Sequence, residues 1–484
     1  MPRKRRCALV VLGFILPITA QSLSLSESLE LSLKENFDVS ISKQQADSFY
    51  FDIMEKNSAF DWGLLGTSEY TDKTDEALST ILSATRERNW NSKLSLTKKF
   101  LWGTQIEAAV GVTRSDSNLA SLSVNPSWDT TLTFGLKHPF LQNFFGYSDR
   151  NTVLVAELKS NASDKDSLRN IEVTLSNVEK SYWLTVYSIK NLEIKKESLQ
   201  RAVDLLVSHE KKIKSGLIEE TQLLMTRAHM EIQQSQVKQA QKEMAAARAS
   251  FLALFKKGLS DDFIPEDELD FEEYAIPNMQ DALERAQSKR MDLISSKLSL
   301  EETQTALSLS KNKLLPQLDI VAKVTGNGLD RSIDNGLGES VEYTFPTYVV
   351  GVEFTVPLNN RFDRAAFHKA HASRISAEEI YLKNLQKVRQ DLNTSHESLI
   401  RSQQIVHSSE KVEQLQERKL KLEQDNFKRG RSSTDRVIDF QEDLLEAQGA
   451  ALDAILQYQF ALIDWHLAQG DYLDQKNIEM KFQR

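Results

Sequence analysis

The sequence predicts a mainly helical chain built on long antiparallel helical hairpins, with a region of barrel-type β-strands, arranged as two structural repeats. Three observations carry that reading. Val437, Leu444, Ala451, Tyr458 and Trp465 recur every seven residues, with Phe440, Ala447, Ala454, Ala461 and Ala468 three further on, which is a heptad seam with one side reduced to alanine. The same seam stands 214 positions earlier, as Leu223, Met230, Val237, Met244 and Phe251 followed by Thr226, Gln233, Ala240, Ala247 and Leu254, so the chain is a tandem repeat. Segments with an apolar residue at every second position occupy the same place in both copies.

Each seam is preceded by a matching one. Ile171, Val178, Thr185, Leu192, Leu199, Leu206 and Ile213 run through the first half, and Leu385, Leu392, Leu399, Val406, Glu413, Leu420 and Phe427 through the second. A single glycine separates the paired seams, Gly216 in one half and Gly430 in the other. A tight reversal between two long helices needs a residue that tolerates positive φ, which glycine supplies.

At the N-terminus, Met1-Pro-Arg-Lys-Arg-Arg6 is a basic run and Ala8 to Leu16 a short apolar core, followed by small and polar residues near Ala20 and Gln21. That pattern predicts a secretory signal peptide over 1–21, too short to span a bilayer. Losing its four basic residues takes the net charge from −9 to −13, which argues against a nucleic-acid partner. The only cysteine, Cys7, lies in that segment, so the mature chain has no thiol for disulfides, thiolate zinc sites or nucleophilic catalysis. No later apolar run reaches the length of a membrane helix, so a membrane crossing would have to be a β-barrel.

After the signal peptide, Leu29, Leu33, Phe37 and Ile41 mark a helix pair broken near Asn36, matched 254 residues later around Leu283 and Met291-Asp292-Leu293. Strand segments follow each pair. The first region carries Leu94 and Leu96; Ile106, Ala108, Val110 and Val112; then Trp128, Thr130, Leu132, Phe134 and Leu136. The second carries Leu318, Ile320, Ala322 and Val324, then Tyr348, Val350, Val352, Phe354 and Val356. Trp62, Trp90, Trp102 and Trp128 fall in the first region, as aromatic girdles of a barrel would. A soluble β-subdomain with aromatic core positions is the other reading of these segments. Pro139 matches Pro357 at an offset of 218, so the first half carries an insertion of 36 residues. The simplest account is one more hairpin, around Leu94 and Val110, joined by Leu101-Trp102-Gly103 and lying as an accessory at the rim of the strand region. Long helices of about 68 residues, roughly 100 Å at about 1.5 Å per residue, then run from near Ser148 and near Arg361. The expected layout is a first repeat over 22–258 (strands about 60–138, helical hairpin 148–258), an acidic connector over 259–280, a second repeat over 281–470 (strands about 316–357, helical hairpin 361–470) and a tail over 471–484.

In this order the chain resembles the TolC-like outer membrane efflux proteins, the outer membrane factors of tripartite efflux and type I secretion systems. The local motifs are Leu315-Pro316-Gln317-Leu318 at a strand entry, Val356-Pro357-Leu358 at a strand exit, and Phe427 leading through Gly430 to Asp439. The resemblance implies a homotrimer in the outer membrane. Each protomer gives four strands to one 12-stranded barrel set in outer-membrane lipid and its helices to a periplasmic α-barrel tunnel. It implies partnership with a periplasmic adaptor (membrane fusion) protein and an inner-membrane transporter, and export of small molecules or polypeptides. It also implies adaptor contact at the helix tips, here Ser215, Gly216, Leu217, Arg429, Gly430 and Arg431, and an aperture at Arg436 and Asp439. Arg436, on the same helical face, is expected to pair with Asp439 of its own or a neighbouring chain.

Catalytic signals are missing: no Walker loop, dinucleotide fingerprint or nucleophile elbow occurs, and His368 with His371 lacks a third ligand. No enzyme activity, metal or cofactor is expected, and transport energy would come from a partner. A periplasmic or surface coiled-coil scaffold without channel activity is the alternative; it explains the heptads and not the strands.

Overall fold

The computed structural model describes residues 22–76, 84–119, 121–215, 218–257 and 263–480; the expected signal peptide lies outside them. Among the described residues the chain forms two compact units, one of 22–43, 168–290 and 388–480, the other of 44–167 and 291–387.

Local signals set the element ends. After β1 (Ser22–Leu23), Ser24 opens α1 (Leu25–Glu35) with a capping box: its hydroxyl accepts from the Glu27 amide at 3.2 Å, and the Glu27 carboxylate accepts from the Ser24 amide at 3.0 Å. Asn36 closes α1 in extended backbone, and its Oδ1 accepts from the amides of Asp38 and Val39, starting α2 (Phe37–Ser58). Strands β2 (Trp62–Thr74), β3 (Arg86–Lys99), β4 (Gln105–Ser117) and β5 (Ser127–Pro139) follow, then α3 (Tyr147–Lys214) and α4 (Glu220–Leu252). The second half runs through β6 (Ile264–Pro265), α5 (Met279–Lys289), α6 (Met291–Asn312), β7 (Gln317–Asp330), α7 (Ile333–Val341), β8 (Phe345–Thr355), α8 (Arg361–Lys428), α9 (Thr434–Gln469) and α10 (Tyr472–Gln475). Both leading helix pairs have 11 and 22 residues, and α3 and α8 each have 68.

In the helical unit the predicted seams are the packed faces. Val437, Leu444, Ala451, Tyr458 and Trp465 are all buried, as are Ala447, Ala454, Ala461 and Ala468, so the alanine column is where neighbouring backbones approach. Ile171, Leu175, Val178 and Tyr182 of α3 meet Phe251 and Phe255, Phe263 and Leu269 of the connector, and Leu452, Leu456 and Ile463 of α9 in one core. The connector wraps these helices, as its place between the halves suggests. β6 pairs in parallel with β1, Tyr182 Oη donates to the Asp267 carboxylate at 2.6 Å, and Tyr458 Oη donates to the Glu272 carbonyl at 2.8 Å. Burial, with the Asp267 hydrogen bond adding to it, holds the Tyr182 phenol well above its ordinary range. The segment expected as a tail is anchored instead: Tyr472 is fully buried, and its hydroxyl donates to Glu179 at 2.8 Å while Lys476 pairs with the same carboxylate at 2.7 Å.

The strand unit holds one meander of six strands in the order β2-β3-β4-β5-β7-β8, every neighbour antiparallel. This corrects the expected accessory hairpin. The turn over Leu101-Trp102-Gly103 is present, but β3 and β4 lie within the sheet, each paired along its length on both sides. The 36 inserted residues therefore add two full strands, because a hairpin with the same alternation has the same two faces to satisfy as its neighbours. The short helix α7 lies against β5 and β7, where Gly326 and Gly328 make room for it. A Cβ at either would stand 2.0 Å from a backbone oxygen of α7, that of Ser340 or Gly336.

One seam position carries a charge. Glu413 stands at a heptad site of α8 whose other positions are leucine, valine or phenylalanine, and burial, followed by the nearby Glu417 and Glu410 carboxylates, raises its pKa. A carboxylate whose folded pKa is raised favours the folded state in its protonated form, so its stabilising contribution is present at low pH and lost as pH rises through the folded value. Glu413→Gln is therefore expected to raise the thermal midpoint at pH 8 and to have a smaller effect at pH 4.5. Thermal melts of wild type and variant across that range check it.

Candidate functional site

Two places stand out, one on the sheet and one at the end of the long helices. In the strand unit the register is such that residues of equal parity face each other at every step across the six strands: Trp62 opposite Lys98, Leu96 opposite Ala108, Val110 opposite Leu132, Phe134 opposite Val324, and Ala322 opposite Val350. Every even-numbered residue of the sheet thus falls on one face, and nearly all the predicted apolar positions are even. Rows of that face read Trp62, Lys98, Ile106, Leu136, Ala322, Val350 and then Leu64, Leu96, Ala108, Phe134, Val324, Tyr348. The odd face is polar. Lys137 bridges Glu353 at 2.6 Å and Asp319 at 3.0 Å, Lys93 reaches Glu107 at 3.1 Å, and Thr133 meets Thr325 at 3.1 Å.

Aromatic residues close both ends of the apolar face. At one end Tyr70, Trp90 and Trp128 lie in a cross-strand row with Arg114, whose guanidinium sits 5.8 Å from the Trp128 ring centre. At the other end are Trp62, beneath the Lys98 ammonium, and Trp102, stacked on Phe100 at 4.6 Å. Eight residues separate Trp62 from Tyr70, roughly 27 Å along the strand. A strand tilt of about 35–45° turns that into roughly 19–22 Å along a membrane normal, close to the apolar band of about 25 Å on barrel proteins. α7 covers this face at Thr130, Gly326 and Gly328; away from that seat it is open, with Val350, Tyr348 and Leu64 83%, 73% and 69% exposed.

The second place is the helix-tip end of the helical unit. α8 ends in a Schellman motif, with Arg431 N donating to Asn426 O at 2.9 Å, Gly430 N to Phe427 O at 3.1 Å, and Gly430 at φ +71°. Arg429 and Arg431 flank it, exposed. The α3 end stops at Ser215, whose amide donates to Lys212 O; Gly216 and Leu217 lie outside the described residues. Sequence reasoning missed what joins α3 to the second tip. His209 is fully buried, its Nε2 2.9 Å from Thr434 Oγ1, its Nδ1 2.8 Å from the Leu205 carbonyl and its ring stacked on Phe427, over which Lys212 also lies. Burial lowers the His209 pKa, against the pull of its backbone hydrogen bond, so it stays neutral near pH 7. The available signal was spacing: His209 stands three residues after the seam residue Leu206, and Thr434 three before Val437.

The pairing expected between Arg436 and Asp439 takes a different form. Arg436 does not turn to Asp439 within the chain; its guanidinium lies 3.8 Å from Glu423 of α8, a carboxylate that also accepts from the Ser432 hydroxyl. Glu423 is the better-shielded acid, so the arginine gains more there than on an exposed aspartate. Asp439 remains exposed on α9. Among the described residues no group of three or more histidines, cysteines, aspartates or glutamates could hold a metal ion, and no helix is long and apolar enough to cross a membrane.

No protein-family signature matches the sequence, and no curated protein matches it either. Solved structures do match in fold. The CmeC outer membrane channel of Campylobacter jejuni superposes with a TM-score of 0.69 at 16% identity, covering 95% of this chain and 90% of that one. The outer membrane protein VceC of Vibrio cholerae gives 0.67 at 15% identity, covering 92% and 96%. The open-state MtrE outer membrane channel of Neisseria gonorrhoeae gives 0.68 at 14% identity, covering 93% and 89%. The chain has the fold of these channels.

The Gly430 geometry has a measurable consequence. A side chain there would meet nothing within 4 Å, so the penalty of substitution is the left-handed backbone alone, about 1–2 kcal/mol and greatest for a β-branched residue. Gly430→Val is expected to speed amide hydrogen exchange around Arg429–Arg431 by about 5- to 30-fold, with Gly430→Asn closer to wild type.

Proposed function

We propose that the protein is an outer-membrane channel-tunnel, the exit duct of a tripartite efflux or type I secretion system. Copies of the strand unit close into a barrel with the even face on lipid and the odd face on water. The hairpin helices form the periplasmic tunnel, in a homotrimer whose halves are structural repeats. It receives small molecules or polypeptides from an inner-membrane transporter through a periplasmic adaptor, and it is not an enzyme. The single observation that carries this reading is the apolar face of the sheet, exposed outside the seat of α7 and with aromatic residues at both ends, which a soluble scaffold would have to cover and which lipid satisfies without further protein. The fold shared with CmeC, VceC and MtrE, all described as outer membrane proteins, supports it.

The tips are the regulated end of this duct. A tunnel standing open would leak solutes, so Ser215, Gly216, Leu217, Arg429, Gly430 and Arg431 are the surface on which an adaptor would act. Asp439, exposed and not taken up by Arg436, is the residue proposed to ring the aperture and favour cations there. Three copies would bring three carboxylates near one axis.

The purified protein is expected in the outer-membrane fraction with heat-modifiable migration, and in planar bilayers as a cation-preferring channel. Asp439→Ala should lower cation preference measurably while leaving trimer assembly unchanged. Recovery as a soluble periplasmic pool would sink the channel reading; unchanged selectivity and conductance in the variant would remove Asp439 from the aperture.

A further inference from the structure

The sheet ends in two bare edges, β2 and β8. All 13 residues of β2 are exposed, and all but one of β8's 11. Their outward hydrogen-bonding groups have no partner strand among the described residues. In hydrocarbon such an edge is untenable, so something must pair with each. The two edges fit one another. Strand direction alternates at every step of a six-stranded meander, so β2 and β8 run in opposite directions, and β8 of one copy meets β2 of the next as an antiparallel neighbour. The apolar face also reaches both edges, through Leu64 on β2 and Tyr348 and Val350 on β8, and a copy-to-copy junction would continue it unbroken.

We infer that the β2 and β8 edges join copies of this chain directly, and that three copies close a barrel of eighteen strands. This rests on the trimeric channel reading above and deepens it, since the resemblance alone implies four strands per copy and twelve in all. Six strands are too few to close round a lumen, as the smallest membrane barrels have about eight. The inserted pair cannot stand aside from the count. β3 is paired over 13 positions on each side, and β4 over 13 on one side and 11 on the other. Removing them from the wall would part β2 from β5 and create two further bare edges.

The consequence is width. With strands about 4.8 Å apart and tilted about 40°, the circumference of an eighteen-stranded barrel corresponds to a backbone diameter of roughly 36 Å, against roughly 24 Å for twelve strands. Barrels of 16–18 strands leave an open aqueous channel. The outer mouth of this duct therefore does not set the upper size of its cargo, and any size selection falls to the helical part.

Cysteine pairs across the junction test this, helped by a chain whose only cysteine is Cys7. With Cys7→Ser as background, Thr67→Cys on β2 is combined in turn with Thr347→Cys, Val349→Cys and Gly351→Cys on β8, all odd-numbered and on the polar face. Oxidation of the full-length protein in outer membranes is expected to yield a covalent trimer in at least one combination, reversed by reductant, with single-cysteine controls staying monomeric on denaturing gels. A covalent product that stops at a dimer would mean two copies and twelve strands; the trimer and the eighteen-stranded barrel would both fall. Native mass spectrometry showing a trimer with no cross-link in any combination would overturn the edge pairing and leave the trimeric reading standing. Electron cryomicroscopy of the wild-type protein counts the strands independently of how any variant folds: eighteen supports the inference and twelve overturns it.

Discussion

Backbone amides that enter hydrocarbon must be paired, and on the proposed channel reading that one constraint organises the strand unit. It explains why the inserted segment is a hairpin. One additional strand would reverse the direction of β5 and deliver the chain to α3 at the wrong end of the sheet. Two restore direction, so β5 still ends at Pro139, on the same side as the start of β2 and the end of β8. Side-chain facing is conserved by the same step, since each ladder pairs residues of equal parity and the even face stays apolar through the added strands. An insertion of two strands is the smallest that leaves both the direction and the faces of a membrane sheet intact, and it widens the sheet without disturbing the helices that follow.

In the helical unit the governing term is the burial of narrow apolar stripes along very long helices, which would not stand alone in water. A stripe of aliphatic side chains alone leaves register loosely set, because shifting by a heptad replaces like with like. Polar groups in and beside the seams oppose such a shift. Gln233 accepts from Ser198, His209 meets Thr434, and Asn36 donates to Leu254 O at 2.9 Å, each satisfied in one alignment only. Glu413 is the exception, a seam position whose burial works against its charge.

Much of the architecture was legible because heptads and strict alternation are period signals. The 214-residue recurrence located both long hairpins, Gly430 marked a helix end, and the 36-residue offset located the inserted hairpin. What alternation cannot report is which strands are neighbours, and so the hairpin's place within the sheet was not readable. β2 escaped for a different reason: Leu64 and Leu65 are adjacent, and Gly66 and Ser68 occupy even positions where apolar residues would have shown the period. Nor could α7 be read, as its seat depends on two glycines of β7 that in sequence look like turn residues. At the tips, charge arithmetic suggested Arg436 with Asp439 because both lie on one helix. The carboxylate that engages Arg436 belongs to the other helix of the hairpin, 13 positions earlier, where no spacing rule within one helix would find it.

The charges of the two units follow different logics, and the difference bears on where selection happens. On the odd face of the sheet, cations and anions are interleaved: Lys137 between Asp319 and Glu353, Lys93 against Glu107. Such a surface is polar enough to hold water and has no single sign with which to sort ions. At the second tip, by contrast, Glu423 engages Arg436, while Asp439 stands exposed with Arg429 and Arg431 nearby, so charges of both signs face outward there. A field from unpaired like charges is strongest where the passage is narrow and water is scarce, and weakest in a wide aqueous lumen where counterions screen within about 8–10 Å. In the duct proposed above, a broad and neutralised barrel would leave discrimination among solutes to the helix tips, whose exposed charges include Arg429, Arg431 and Asp439.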